Sequence, residues 1–149
     1  MDIEQLRDYC LSLPLVTEDM PFGDTTLVFR VRGRIFALTD LERPTLVSLK
    51  CDPELAIALR ERHEGIAGAY HMNKKHWNQV ALDALLPDAM IESMVRHSYG
   101  EVVKKLTRRE RTDYPELTSI DTGLSIYAGC GTSSVTNNWC LNMACFIGK

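Results

Sequence analysis

No stretch of about eighteen consecutive apolar residues occurs in the 149-residue chain, so nothing in it has the length of a bilayer-spanning helix. The first residues, Met1-Asp2-Ile3-Glu4-Gln5, are acidic and lead into no apolar block, which argues against a secretory leader. The five cysteines are an odd count without a Cys-x-x-Cys pair. His71 and His76 stand five apart without an acidic partner, so neither a disulfide framework nor a zinc site is expected. Positive charge is also short. Seventeen Lys and Arg against twenty Asp and Glu leave a net charge of −3, so any nucleic-acid surface has to be a local patch. A Gly-x-Ser-x-Gly elbow and a phosphate-binding glycine loop are both missing, and Cys10 and Cys51 lie in apolar runs where burial blunts a thiol. These absences predict a monomeric, cytoplasmic, non-enzymatic protein with no catalytic residue, no metal, no cofactor and no membrane partner.

What is present reads as one ordinary core, with 45 % hydrophobic and 25 % charged residues. Ile3, Leu6, Cys10 and Leu13 recur every three or four positions behind Asp2 as N-cap, and Pro14 closes this amphipathic helix. After Pro21-Phe22-Gly23-Asp24, residues 25–31 alternate as a strand. Arg32-Gly33 then suits a tight hairpin turn into a second strand over 34–39. A third strand, 46–50, precedes Asp52-Pro53-Glu54, a helix start in which Asp caps and Pro occupies the first turn. Residues 66–70 and 77–82 read as two further strands around a polar connection. Past Pro87, Met90, Ile91, Met94 and Val95 form a helical stripe. The Ser98-Tyr99-Gly100-Glu101 spacing predicts a capping box that opens a separate helix. Strands grouped in hairpins imply an α+β fold: an antiparallel sheet of about five strands with helices packed on one face, in two layers. From Thr118 to Lys149 only Asp121 and Lys149 are charged, amid Ser, Thr, Gly, Asn and three cysteines. The expectation is a domain over residues 1–117 and an atypical charge-poor tail over 118–149 that is weakly packed or disordered.

Pro21-Phe22-Gly23, Lys50-Cys51-Asp52-Pro53, the run Tyr70-His71-Met72-Asn73-Lys74-Lys75-His76-Trp77-Asn78, and Ser98-Tyr99 with Val102 together resemble the MmcQ/YjbR family in order and spacing. The resemblance covers roughly residues 1–110. It implies a two-layer fold like that of the frataxin-like CyaY proteins and a DNA-binding role through a double-wing arrangement. The tail departs from the family's pattern, and no function is carried onto it.

Three clusters are candidates for contact. The first is His71, Asn73, Lys74, Lys75, His76 and Trp77, where cations, an amide and an aromatic plane suit phosphate and base together. The same loop also reads as structural, anchored by Tyr70 and Trp77 with Asn73 bonded to its own backbone. The second is Arg30, Arg32 and Arg34 about Gly33, a wing of guanidinium groups or simply a charged strand edge. The third is Lys104, Lys105, Arg108, Arg109 and Arg111, equally explained as cations favoured by a helix end. Two functions follow. One is DNA binding through Lys74, Lys75 and Trp77 beside the arginine hairpin. The alternative is a module that binds a protein or a small anionic ligand with the same loop and Lys50. A concave pocket between the loop and Lys50, with the arginines dispersed elsewhere, favours the ligand, and a continuous convex basic face favours DNA.

Overall fold

Asp2 starts the first helix by a reciprocal cap: its carboxylate accepts the Gln5 N–H at 2.8 Å, and the Gln5 side chain accepts the Asp2 N–H at 2.9 Å. The computed structural model describes residues 1–69, 72–84 and 86–124; Tyr70, His71, Leu85 and residues 125–149 lie outside the described residues. Its elements run α1 (Ile3–Ser12), β1 (Val16–Asp19), β2 (Thr26–Val31), β3 (Arg34–Asp40), β4 (Arg43–Lys50), α2 (Pro53–Arg62), β5 (Ile66–Gly68), β6 (Trp77–Ala81), α3 (Asp88–Val103) and α4 (Arg108–Asp113), followed by a 3-10 turn, Pro115–Thr118. The strands form one antiparallel sheet in the order β1-β2-β3-β4-β6-β5. Leu6 and Cys10 of α1, Ala56 and Leu59 of α2, and the buried stripe of α3 belong to a single apolar cluster with the inner sheet residues, so the helices cover one face. The fold is α+β in two layers.

Two expectations need correction. The sheet has six strands and not about five, because β1 is a strand with acidic residues at two of its four positions and no apolar alternation to announce it. Pairing holds it at the edge, from Val16 opposite Val31 to Asp19 opposite Val28, with ion pairs from Arg7 to Glu18 and Arg30 to Asp19. The Arg7 guanidinium hydrogen-bonds Glu18 and holds its carboxyl below the usual range. The second correction concerns Ser98, which opens no new helix: α3 runs unbroken from Asp88 to Val103, and Ser98 is fully buried within it. The capping box at this end of the chain lies further on. Thr107 and Glu110 cap α4 reciprocally.

The Ser98 hydroxyl has a different task. Beyond the pair Ala37–Leu49 the β3–β4 ladder stops, and the next positions are Phe36 and Lys50. Ser98 Oγ sits between them, accepting the Lys50 N–H at 2.8 Å and donating to the Phe36 carbonyl. A bulge inserts Phe36 between the partners of Phe29 and Arg30, so Phe36 and Ala37 are both buried in the core. Phe36 meets Tyr99 edge to face at 5.6 Å, and the Tyr99 hydroxyl donates to the Pro14 carbonyl at 2.7 Å.

Residues 118–124, the start of the charge-poor tail, form a strap along α3; the rest of that tail is outside the described residues. Arg96 donates to the Asp121 carbonyl at 3.1 Å, and Ile120 and Leu124 pack against the core. The strap lies so close that a Cβ at Gly100 would sit 2.5 Å from Thr122 Cβ.

Ser98→Ala strands a buried N–H and a buried carbonyl at once, so an unfolding free energy lower by roughly 2–4 kcal/mol is expected in urea denaturation with an unchanged slope. A loss under about 1 kcal/mol would show that the hydroxyl bridge is dispensable. A chain ending at residue 117 is expected to melt about 3–8 °C below one ending at residue 124, because only the longer one keeps the strap. Equal melting temperatures would remove the strap from the fold's energetics.

Candidate functional site

The connection from β5 to β6 is a turn built by Asn73. Its side-chain oxygen accepts the Lys75 N–H at 3.0 Å, and its carbonyl accepts the N–H groups of His76 and Trp77 at 3.1 and 3.0 Å. The Arg60 guanidinium of α2 ties the loop down by donating to the Lys74 carbonyl at 3.0 Å. On the other side the His76 carbonyl accepts the Cys51 N–H at 2.7 Å, which carries the β4–β6 ladder one step past Lys50–Trp77.

These ties open a cleft of about 390 Å³ where three segments meet. Lys50, Asp52 and Pro53 come from the β4–α2 junction. Asn73, His76 and Trp77 come from the loop, and Glu101 and Lys105 from the end of α3. The acids are already engaged. Asp52 caps α2 by accepting the Leu55 N–H at 3.2 Å, and Glu101 accepts from Lys104 Nζ at 2.8 Å. Among the described residues, the ammonium groups of Lys50 and Lys105 have no ion-pair partner. The cleft therefore sets two unpaired ammonium groups beside an indole and an imidazole, with its carboxylates already hydrogen-bonded.

Of the contact candidates singled out in the sequence, Lys50, Asn73, His76, Trp77 and Lys105 line this cleft. Lys74 and Lys75 are exposed on the same loop but do not line it. His71 lies outside the described residues. The three arginines are not brought to the cleft, and two are held by neighbours. Arg30 pairs with Asp19 at 3.1 Å. Arg32 lies 4.5 Å over the Tyr114 ring and 3.8 Å from Glu110, while Arg34 is exposed at the start of β3. The hairpin tip is thus packed back on the segment after α3. Arg32 and Gly33 there adopt φ of 50° and 81°, the left-handed pair that a two-residue hairpin turn requires.

Sequence reasoning missed Glu101 and His97, and placed Lys105 in a separate basic cluster that a helix end explains equally. His97 is buried at 8 % exposure behind the cleft. Its Nε2 accepts the Asp52 N–H at 3.2 Å and so carries no proton, which leaves the proton on Nδ1, facing the Thr122 carbonyl at 3.4 Å. The Glu101 carboxylate lies 3.8 Å from Nε2. Burial pushes the imidazole below its ordinary value, against the opposing pull of Glu101. One ring thereby joins the cleft wall to the strap. Cys10 and Cys51 are buried with their thiols pushed up to about 12 by desolvation, so neither is a thiolate near neutral pH. Among the described residues no three His, Cys, Asp or Glu side chains converge as a metal site requires, and no helix is long and apolar enough to cross a membrane.

A one-sided antiparallel sheet with a polar cleft at the junction of β4, the β5–β6 loop and α3 defines the structural class. Residues 11–101 match the YjbR family model. The chain is 35 % identical over 112 residues to the uncharacterized protein YjbR of Escherichia coli, covering 74 % of this chain and 95 % of that one. It is 32 % identical over 109 residues to the uncharacterized Escherichia coli protein YbdF, covering 72 % and 89 %. A crystal structure of a Deinococcus radiodurans protein with a DUF419 domain superimposes with a TM-score of 0.75 at 41 % identity, covering 83 % of this chain and 94 % of that one. One of a Pseudomonas syringae protein gives 0.58 at 31 % identity, covering 66 % and 96 %. The chain belongs to the YjbR family.

The depressed His97 pKa sets a pH dependence. The folded state resists the second proton and the unfolded chain takes it near pH 6.5, so stability is full above that value and is lost as pH falls toward the lower folded pKa. The melting temperature is expected to fall between about pH 7.5 and 5.5, and to fall less in His97→Gln. Identical slopes in the two proteins would place the protonation elsewhere.

Proposed function

We propose that this chain binds a small anionic ligand, a carboxylate or phosphate ester with a flat apolar part, in the cleft beside the β5–β6 loop. The observation that carries the reading is the pairing state of the cleft: the carboxylates of Asp52 and Glu101 are engaged within the protein, while among the described residues the ammonium groups of Lys50 and Lys105 have no ion-pair partner. Two cations facing one concavity suit a single doubly acceptor group, and the Trp77 ring beside them suits a planar body. DNA binding, which the family resemblance implies, draws less support. A duplex needs a continuous exposed basic surface, whereas Arg30 and Arg32 are engaged at the hairpin and the net charge is −3.

Phenyl phosphate and benzoate are the probes. Ligand at about one hundred times its Kd adds roughly 2.7 kcal/mol to stability, which a melting shift reads directly. The shift is expected in the unmodified chain and is lost in Lys50→Ala/Lys105→Ala. Fluorescence anisotropy with a duplex at low salt is the counter-test. Duplex binding that survives the cleft double variant and disappears in Arg34→Ala/Lys74→Ala/Lys75→Ala, with no response to either small anion, would replace this reading with the nucleic-acid one.

A further inference from the structure

The sheet face turned away from the helices holds a second groove, of about 360 Å³, which shares no lining residue with the cleft. Its floor follows from the register. Phe29, Ala37, Leu49 and Asn78 stand side by side on the inner face, so the next row, Val28, Leu38, Ser48 and Gln79, points to the other side. Leu38 and Leu46 give the floor an apolar strip, and Met72 and Phe22 flank it. Phe22 is 66 % exposed. Ser48 and Gln79 lie in the groove with no side-chain hydrogen bond among the described residues.

One end of the groove is charged in a particular way. Asp40 and Arg43 are direct register partners across the β3–β4 turn, and both line the groove. Paired residues of an antiparallel ladder have Cα atoms only about 4.5–5.5 Å apart. Yet this carboxylate and this guanidinium do not close on each other or on any other charged group among the described residues. The Asp40 carboxylate accepts only the Glu42 N–H, at 2.9 Å. Among the described residues, two opposite charges thus stand on paired positions beside an apolar trough without forming an ion pair.

We propose that this groove binds a zwitterion of the amino-acid type with an apolar side chain. Its carboxylate meets Arg43 and its ammonium meets Asp40, while the side chain lies over Leu38 and Leu46 between Phe22 and Met72. A ligand with one charge matches only half of this end and leaves the other group without a partner. A zwitterion whose charges sit on one carbon satisfies both. The inference is independent of the anion cleft, since the two sites have no residue in common.

Three probes with the same phenyl body separate the possibilities: phenylalanine, phenethylamine and 3-phenylpropionate, titrated calorimetrically and by amide chemical shifts. Phenylalanine is expected to bind, moving the amides of Leu38, Ser48 and Gln79, with each single-charge analogue weaker by roughly tenfold or more. Arg43→Gln is expected to weaken phenylalanine and 3-phenylpropionate and spare phenethylamine, and Asp40→Asn to do the converse. Both positions are at the mouth of a turn, so the variants keep the fold. No binding of phenylalanine, equal binding of all three, or shifts confined to Asn73 and Trp77 would overturn the proposal, the last by assigning the ligand to the other cleft.

Discussion

A single buried hydroxyl stands where the β3–β4 ladder gives out, and the arrangement of the cleft depends on it. Ser98 takes the N–H of Lys50 and gives its proton to the carbonyl of Phe36, so the central helix completes a rung that the two strands leave open. An unpaired buried backbone group costs about 1–3 kcal/mol, and here one side chain removes two of them. The bridge also fixes where β4 ends. Lys50 then starts the junction that presents Asp52 to α2 and to His97, while Trp77 pairs with Lys50 on the other side.

The electrostatics follow from the same economy. Acids near the cleft are drawn into capping and helix pairing, and arginines on the hairpin are drawn onto Asp19, Tyr114 and Glu110. Exposed pairs of this kind add little to stability, since surface ion pairs are worth about 0–1 kcal/mol. Their effect is to decide which charges are available to something else. Lys50 and Lys105 remain on one side of the molecule, and Asp40 with Arg43 on the open sheet face, so cavities of similar size have different chemical preferences.

Much of the fold was legible in the sequence because its signals are local. Asp2 with Gln5, Arg32-Gly33, Asp52-Pro53 and the Asn73 turn each involve residues within four positions, and the chemistry of caps and tight turns is a property of such short spans. Edge strand β1 was not legible, because a short strand with acidic side chains is held by its partner and two ion pairs and not by an apolar pattern. Ser98 misled for a related reason. The Ser-x-x-Glu spacing is the same whether the serine caps a helix or sits inside one, and only contacts 48 and 62 residues away decide. Of the cleft, the loop and Lys50 were legible as polar residues in an aromatic setting. The roles of Glu101, His97 and Lys105 depend on where the end of α3 lands, which no local spacing encodes.

Gly100 has a consequence for the cleft. A glycine inside a helix weakens it by roughly 0.5–1 kcal/mol relative to alanine, and this one lies in the last turns of α3, where the strap at Thr122 leaves no room for a side chain. The end of the helix is therefore braced from outside, by the strap over residues 118–124. Glu101, the next residue, lines the cleft, so the packing that seats Gly100 against Thr122 also seats one wall of the cleft.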